Sequence, residues 1–232
     1  MKRREVVFLV DVDNTLLDND RVVADMRRRL EHDIGAEAER RYWEIFEQLR
    51  TEMGYADYLG ALQRYRLERP RDVGVFRASL FLTNYPFANR LYPQSLDVIE
   101  HLGQWGEVVI LSDGDVVFQP RKVERSGLMD AVDGRVLIYV HKEEELDDVE
   151  QRYPASHYVV IDDKVRLLAA IKRHWGTRVT TIFPRQGHYA HDLADLAKYP
   201  EPDIAVERIG ALLELDFHTL RSASRSAEPA RP

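Results

Sequence analysis

Residues 6–17 constrain the fold more than any other stretch of the chain. Five consecutive apolar residues, 6–10, end abruptly at an acidic segment that contains Asp11 and Asp13. A short, continuous, β-branched apolar run is typical of a strand buried on both faces of a parallel sheet. Ligand sites in such sheets lie beyond the carboxyl ends of the strands. Asp11 and Asp13 are therefore candidates to share a cation or to divide a chemical task.

The composition excludes several classes of protein. Hydrophobic residues make up 44% of the 232 residues, charged residues 31%, and the net charge is -7. This balance is typical of a globular protein and argues against nucleic acid as the main partner. The absence of cysteine excludes disulfides, thiolate catalysis and Cys-type zinc sites. No apolar stretch is long enough to span a membrane, and we expect a cytoplasmic location.

Helical periodicity dominates residues 18–90. Apolar residues recur at helical spacing in three stripes, and a weaker fourth helix is expected over residues 72–82. No strand pattern appears in this segment. It therefore predicts a small all-helical cap domain, residues 18–90, inserted after the first strand.

From residue 91 onward, strand and helix patterns alternate. The apolar runs 107–111, 136–140, 158–161 and 178–183 are predicted strands. Their alternation with helices implies right-handed crossovers and a parallel, three-layer, Rossmann-like α/β core, built from residues 1–17 and 91–221. A helix that includes Val116, Val117 and Val123 is expected after the second strand. Residues 222–232, rich in Ser, Ala, Pro and Arg, are expected to be disordered.

Polar side chains follow each of these strands. Ser112 ends the second strand, Lys142 follows the third, and Asp162 and Asp163 end the fourth. Parallel strands bring these residues to one edge, together with the acids after the first strand. Clustered carboxylates repel one another unless a cation neutralises them, and an all-oxygen ligand set suits Mg²⁺. Mg²⁺ together with Lys142 and the Ser112 hydroxyl is a good receptor for a phosphoryl group.

These motifs, in this order, resemble those of the haloacid dehalogenase-like (HAD) superfamily, whose first motif is D-x-D-x-T after an apolar strand. The resemblance covers residues 5 to about 185. It implies the sheet order 5-4-1-2-3, and the helical segment is similar to the α-helical cap that many members carry there. The matching residues are 11–16 (DVDNTL), Ser112, Lys142 and the pair Asp162–Asp163.

More than one lysine could supply the third motif. Lys142 precedes Asp162 by twenty residues and matches the third motif. Lys122 and Lys164 also lie near strand ends, but Lys122 falls inside a predicted helix and Lys164 directly follows the acidic pair. Lys142 is therefore favoured, although the acidic residues after it also fit a helix N-terminus.

The resemblance implies a role for each residue. Asp11 is the implied nucleophile, which forms an aspartyl-phosphate, and Asp13 the implied general acid and then general base. Asp162 is favoured over Asp163 as the acidic metal ligand of the fourth motif because it directly follows the strand. The implied phosphate-binding residues are Asn14, Ser112 and Lys142, and the implied Mg²⁺ ligands are Asp11, Asp13 through its carbonyl, and Asp162 or Asp163.

Asp13 also bears on the type of reaction. Protonating a leaving alkoxide requires a proton donor at this position, and family members that cleave carbon–halogen bonds lack this acid. We therefore expect a Mg²⁺-dependent phosphatase that acts on a small phosphorylated metabolite. A phosphomutase or other phosphotransferase on the same scaffold is one alternative, and a non-catalytic binding protein is the other.

The loop after the fifth strand contains a second candidate metal pair. His188 and His191 lie three residues apart there. No third ligand has supporting spacing, so we expect surface or capping histidines.

Overall fold

Six strands form one parallel sheet in the computed structural model, which describes residues 4–217. They are β1 (Arg4–Val10), β2 (Glu107–Asp113), β3 (Val136–Tyr139), β4 (Ala155–Ile161), β5 (Val179–Pro184) and β6 (Ile204–Val206). Their order across the sheet is β3-β2-β1-β4-β5-β6, and every neighbouring pair is parallel. The predicted order 5-4-1-2-3 is confirmed, with a sixth strand beyond β5.

The central strand β1 is buried on both faces. Val7 and Leu9 belong to the apolar cluster on one side of the sheet, and Phe8 and Val10 to the cluster on the other. Successive side chains of a strand point to opposite faces, so an unbroken apolar run is needed when both faces are covered. The prediction from this run, a strand buried on both faces of a parallel sheet, is confirmed.

Helices cover both faces of the sheet. One face carries α5 to α7, and the other carries α8 and α9. Within the described residues, no helix is both long enough and apolar enough to cross a membrane. The helices are α1 (Asn19–Ile34), α2 (Ala36–Met53), α3 (Tyr58–Glu68), α4 (Gly74–Asn84), α5 (Ser95–Gly103), α6 (Phe118–Arg125), α7 (Leu128–Ala131), α8 (Leu146–Arg152), α9 (Val165–Trp175) and α10 (Leu193–Leu196).

The segment between β1 and α5 contains α1 to α4, here called the helical insertion. Its first helix is capped by Asp18, whose carboxylate accepts from the backbone N–H of Arg21 at 2.9 Å. Gly54 ends α2 in the left-handed conformation with φ 80°. The chain leaves and rejoins the core at one place, because Leu17 and Leu91 form an isolated bridge. As predicted, the insertion contains no strand.

Helix α6 differs from its predicted extent. It begins at Phe118, so Val116 and Val117 precede it in an exposed loop. Asp115 lies just before the two valines, and its carboxylate accepts from the backbone N–H groups of Val117 at 2.8 Å and Phe118 at 2.6 Å. The two valines suggested a helical stripe, but these bonds hold them in a turn, and the helix begins after them.

The C-terminal part of the chain holds an element that the sequence did not predict. Strand β6 has three residues and pairs with the edge strand β5. Three residues are too few for a periodic pattern to distinguish a strand from a loop. The predicted disordered tail, residues 222–232, and residues 218–221 of the predicted core lie outside the described residues.

Candidate active site

The carboxyl ends of β1 and β4 bring three aspartates together. Val10 pairs with Ile161 in the sheet, and the backbone N–H of Asp11 donates to the carbonyl of Ile161 at 2.9 Å. Asp11 therefore lies beside Asp162 and Asp163, which follow β4. All three side chains are buried, and one oxygen from each lies within 4.8 Å of the others. Carboxylates this close need a counter-charge to remain ionised.

Lys142 supplies part of that counter-charge. Its Nζ lies 2.5 Å from Oδ1 of Asp11 and 2.6 Å from Oδ2 of Asp162, and it donates to the carbonyl of Leu111 at 3.2 Å. The backbone N–H of Lys142 donates to Oδ1 of Asp113 at 2.8 Å. Burial lowers the pKa of this ammonium, but the charges of Asp11, Asp162 and Asp113 outweigh burial and hold the pKa well above its usual value. Lys142 is therefore a buried cation.

Asp162 and Asp163 have different partners. Oδ1 of Asp162 accepts from the backbone N–H of Lys164 at 2.8 Å, and its Oδ2 pairs with Lys142. Both oxygens of Asp163, Oδ2 of Asp11 and Oδ2 of Asp162 are buried without a hydrogen-bond partner among the described residues, but Oδ2 of Asp162 lies in the ion pair with Lys142. Burial raises the pKa of both Asp162 and Asp163; the neighbouring acids add to this shift, and the nearby lysines oppose it.

The partnerless oxygens fit a divalent cation. Buried carboxylates in proteins are normally paired or bound to a metal, and the two nearby lysines, Lys142 and Lys164, leave this group of three carboxylates with a net negative charge. The donor atoms are all carboxylate oxygens, the ligands that Mg²⁺ prefers. The described residues contain one group of three or more potential metal ligands, which is this cluster. His188 and His191 form no such group.

Ser112 lies in β2 at the same edge of the sheet. Its hydroxyl accepts from Nε2 of Gln119 at 2.9 Å and donates to the carbonyl of Asp113 at 3.3 Å. Gly114 leaves room for Gln119, because a Cβ at Gly114 would lie 2.5 Å from Cβ of Gln119. The predicted role of Ser112 in binding phosphate stays a prediction, and its hydroxyl already has two protein partners.

Lys122 is a site residue to which the sequence pattern gave no role, because Lys142 was favoured over it for the third motif. Its Nζ donates to Oδ1 and Oδ2 of Asp13 at 2.6 and 2.8 Å. A third bond, 3.0 Å long, goes to Oδ1 of Asn19. The sequence carried an indication of this, because Lys122 lies one helical turn after the buried Phe118, on the apolar face of α6. A lysine on an apolar helix face indicates a buried partner.

Asn14 takes the left-handed conformation with φ 58° directly after Asp13. Its Nδ2 donates to Oδ1 of Asp20 at 3.0 Å, and its backbone N–H donates to the carbonyl of Leu17 at 2.7 Å. Asp20 also accepts from the backbone N–H of His188 at 2.8 Å. Asn14 therefore connects the first motif to α1 and to the loop after β5. Its predicted role in binding phosphate stays a prediction.

The helical insertion covers the aspartates and leaves a cavity of about 640 Å³. Nη2 of Arg50 donates to the Tyr189 hydroxyl of the core at 3.0 Å. Gly54 lies against His141, since a Cβ at Gly54 would be 2.6 Å from the imidazole. Residues of both the core and the insertion line the cavity, among them Asp13, Asp163, Trp43, Arg50 and Tyr55.

Comparison with known proteins identifies the family. A model of the haloacid dehalogenase-like hydrolases matches residues 6–174, a range that includes all four motifs. The chain belongs to this family. A search of curated proteins finds no match.

Solved structures share the fold. A haloacid dehalogenase-like protein from Burkholderia xenovorans LB400 is 62% identical, with a TM-score of 0.88 over 91% of this chain and 99% of that chain. The HAD-hydrolase YfnB from Bacillus subtilis, bound to magnesium, is 19% identical, with a TM-score of 0.60 over 94% and 99%. The L-2-haloacid dehalogenase from Xanthobacter autotrophicus is 17% identical, with a TM-score of 0.58 over 90% and 97%.

The family and the Rossmann-like fold, predicted from the motifs, are confirmed by these matches. The two distant structures support the fold alone. The type of reaction depends on the site residues of this chain, because one fold supports several chemistries.

Proposed function

We propose that this hydrolase is a Mg²⁺-dependent phosphatase that cleaves a phosphate monoester of a small metabolite through an aspartyl-phosphate. The observation that carries the proposal is Asp13, an acid two residues after Asp11 whose two oxygens are bound by Lys122. Its side chain is 26% exposed and lines the cavity. A phosphate ester needs a proton for its leaving oxygen, whereas a halide leaves as a stable anion. Asp13 thus favours phosphate esters over the haloacids cleaved by the Xanthobacter autotrophicus dehalogenase.

In the first step, Asp11 is the nucleophile. A carboxylate oxygen of Asp11 bonds to phosphorus, and the bond between phosphorus and the ester oxygen breaks. Asp13 in its acid form gives a proton to that oxygen, which leaves as an alcohol. Lys142 orients Asp11 through Oδ1, 2.5 Å from its Nζ. The products of this step are the alcohol and the aspartyl-phosphate.

In the second step, Asp13 acts as a base. It takes a proton from a water molecule whose oxygen bonds to phosphorus, and the bond between phosphorus and Asp11 breaks. Asp11 is restored as a carboxylate and Asp13 as an acid. One ester and one water thus give one alcohol and one phosphate. Asn14, Ser112 and Lys142 are the proposed phosphate-binding residues.

Asp11 and Asp163 are the proposed side-chain ligands of Mg²⁺, with the carbonyl of Asp13 as a third. Asp163 is preferred to Asp162 because Oδ1 of Asp162 accepts a backbone hydrogen bond and its Oδ2 forms an ion pair with Lys142, whereas neither oxygen of Asp163 has a hydrogen bond. When bound, Mg²⁺ offsets the repulsion between the phosphoryl group and the attacking carboxylate. YfnB, which shares the fold, is bound to magnesium.

The helical insertion is the proposed cap. Residues 18–90 would form it, and residues 1–17 and 91–221 the catalytic core. The contacts of Arg50 with Tyr189 and of Gly54 with His141 close the insertion over the strand ends. Closure excludes bulk water from the aspartyl-phosphate and lets cap side chains choose the substrate.

The test is phosphate release by the purified protein from a panel of phosphorylated metabolites and a generic aryl phosphate, with and without Mg²⁺. We expect Mg²⁺-dependent release that Asp11→Asn lowers by about 10⁴-fold or more. Asp147→Asn is the matched control, because the Asp147 side chain is 95% exposed. Activity unchanged by Asp11→Asn would contradict the nucleophile assignment.

The products separate the other reactions. An isomerised sugar phosphate without free phosphate would indicate a phosphomutase. Halide release from an L-2-haloacid, without phosphate release from any ester, would indicate a dehalogenase. No turnover of either substrate class would indicate a binding protein.

A further inference from the structure

Lys122 is wholly buried, although an ammonium is among the most costly groups to bury. Its Nζ makes three bonds, two to Asp13 and one to Asn19, which use all three of its protons. The ring of Phe118 lies 5.4 Å away. The lysine therefore has one carboxylate partner, and that carboxylate belongs to the first motif.

The two bonds to Asp13 fix the plane of its carboxylate. A carboxylate oxygen can accept more than one hydrogen bond, so each oxygen keeps acceptor capacity on its cavity side. Nε2 of Gln119 approaches Oδ2 of Asp13 at 3.5 Å and also donates to Ser112. Two side chains of α6 thus set where Asp13 points.

The third bond connects this pair to the helical insertion. Asn19 is the first residue of α1, directly after the point where the chain leaves the core. Lys122 therefore contacts the acid and the start of the insertion at once. A change in the position of α1 would alter the orientation of Asp13.

We propose that Lys122 is a positioning residue, which holds the Asp13 carboxylate toward the reacting phosphoryl group and ties its orientation to the start of the insertion. This inference rests on the proposed function, in which Asp13 moves a proton in both steps. Lys122 itself does not touch the substrate. Its loss should therefore slow those steps that need a proton transfer more than those that do not.

Dinitrophenyl phosphate separates the two kinds of step. Its phenolate leaves without a proton, so formation of the aspartyl-phosphate does not need Asp13, whereas hydrolysis of the intermediate does. Rapid mixing measures phenolate release in the first turnover, and acid quench measures the fraction of enzyme that carries phosphate. Steady-state phosphate release reports the second step.

We expect Lys122→Met to keep first-turnover phenolate release within about 3-fold of wild type and to slow phosphate release by about 10- to 100-fold. The aspartyl-phosphate should accumulate. Lys122→Arg, which keeps a cation that can bind both oxygens, should restore part of the second step. Lys172→Met is the matched control, because it removes a lysine on α9 that pairs with Asp203; it should behave as wild type.

Loss of folding alone would not produce this pattern. A destabilised protein loses both steps in proportion to its folded fraction. Equal slowing of both steps, or slowing of neither, would overturn the positioning role. If Lys122→Met does not fold, Lys122→Arg and Asn19→Ala carry the test, and Asn19→Ala should slow the second step alone by about 2- to 5-fold.

The wild-type protein distinguishes failure of this proposal from failure of the proposed function. If wild type releases phosphate and forms a phosphorylated enzyme, but Lys122→Met affects both steps equally, only the positioning role of Lys122 is contradicted. If wild type forms no phosphorylated enzyme, the phosphatase proposal falls, and the positioning role falls with it.

Discussion

Lys142 and Lys122 each bind an acid of the first motif, but they reach it from different kinds of element. Lys142 follows β3 and contacts Asp11, Asp162 and the carbonyl of Leu111, all at strand ends. Lys122 extends from the middle of α6 to Asp13 and to Asn19 of the insertion. Lys142 thus contacts residues at strand ends, whereas Lys122 connects α6 with the first motif and with α1.

Because their partners differ, we expect substitution of the two lysines to have different effects. The partners of Lys142 are fixed by the parallel register of the sheet, and they include the acids that fit a metal. Its loss should therefore appear in stability and in the response to Mg²⁺. The partners of Lys122 include the first residue of the insertion, which would move if the proposed cap opened. Its loss should appear mainly in proton transfer.

The largest expected effect is that of Lys142→Met on stability without metal. The change leaves Asp11 and Asp162 buried without their cation, and breaking a buried ion pair costs about 3–5 kcal/mol. Mg²⁺ should restore part of the loss, because it supplies the missing positive charge. Denaturant unfolding with chelator and then with Mg²⁺ measures both quantities.

Lys122→Met is the comparison variant in this experiment. Its partner Asp13 lies outside the group of three acids, so the gain in stability on adding Mg²⁺ should match that of wild type. If Mg²⁺ stabilised both variants more than wild type, and by the same amount, the two lysines would act on the same group of charges.

In the absence of metal, Asp162→Asn should lower stability, whereas Asp163→Asn should not. Asp162→Asn removes the ion pair with Lys142 and should cost about 1–3 kcal/mol. Asp163→Asn removes a buried charge that has no hydrogen bond, so the unfolding free energy should not fall. Thermal unfolding in chelator measures this.

The Mg²⁺ dependence of activity in Asp162→Asn and Asp163→Asn tests which of the two acids binds the metal. Asp163→Asn should raise the Mg²⁺ concentration for half-maximal activity by about 10-fold or more, by analogy with the loss of groups that support a metal site. A larger shift for Asp162→Asn would reverse the proposed assignment.

One half of the site consists of residues at the ends of strands, and it was predictable from the sequence. The other half consists of residues on α6, and it was not. Asp11, Ser112 and Asp162 each follow a recognisable apolar run, and parallel strands necessarily bring such positions to one edge. Lys122 lies inside α6, and its contact with Asp13 depends on how the helix packs and rotates against the sheet. A periodic pattern shows that a buried face exists, but it does not show which side chain of another element meets it.

Gln119→Leu tests the place where the two halves meet. Nε2 of Gln119 donates to Ser112 and approaches Asp13, so it is a link between β2 and the first motif. Its loss should cost about 1 kcal/mol of stability, the usual worth of one hydrogen bond. Denaturant unfolding measures the loss, and Gln104→Leu, beyond α5, is an exposed control. A loss several times larger would indicate that the two halves depend on Gln119 for their packing.

The smallest expected effect lies near the other end of β4, remote from both lysines. His157 pairs with Val6 in the register and hydrogen-bonds to Thr180 at 2.9 Å. Burial, followed by the charge of Lys172, lowers the pKa of His157 below 6.5, its usual value. The unfolded chain then binds a proton that the folded protein does not. The free energy of unfolding is therefore unaffected by the titration of His157 above about pH 6.5. It falls as pH decreases from there through the folded pKa, by no more than about 1.4 kcal/mol per pH unit.

His157→Gln should therefore flatten the fall in stability below about pH 6.5. The raised pKa values of Asp162 and Asp163 act with the opposite sign in metal-free protein, because the folded state then holds protons that the unfolded state releases as pH rises. Unfolding curves of wild type and His157→Gln in chelator, compared at each pH, cancel that contribution from the site. An unchanged difference between the two proteins across the range would show that His157 does not titrate differently on folding.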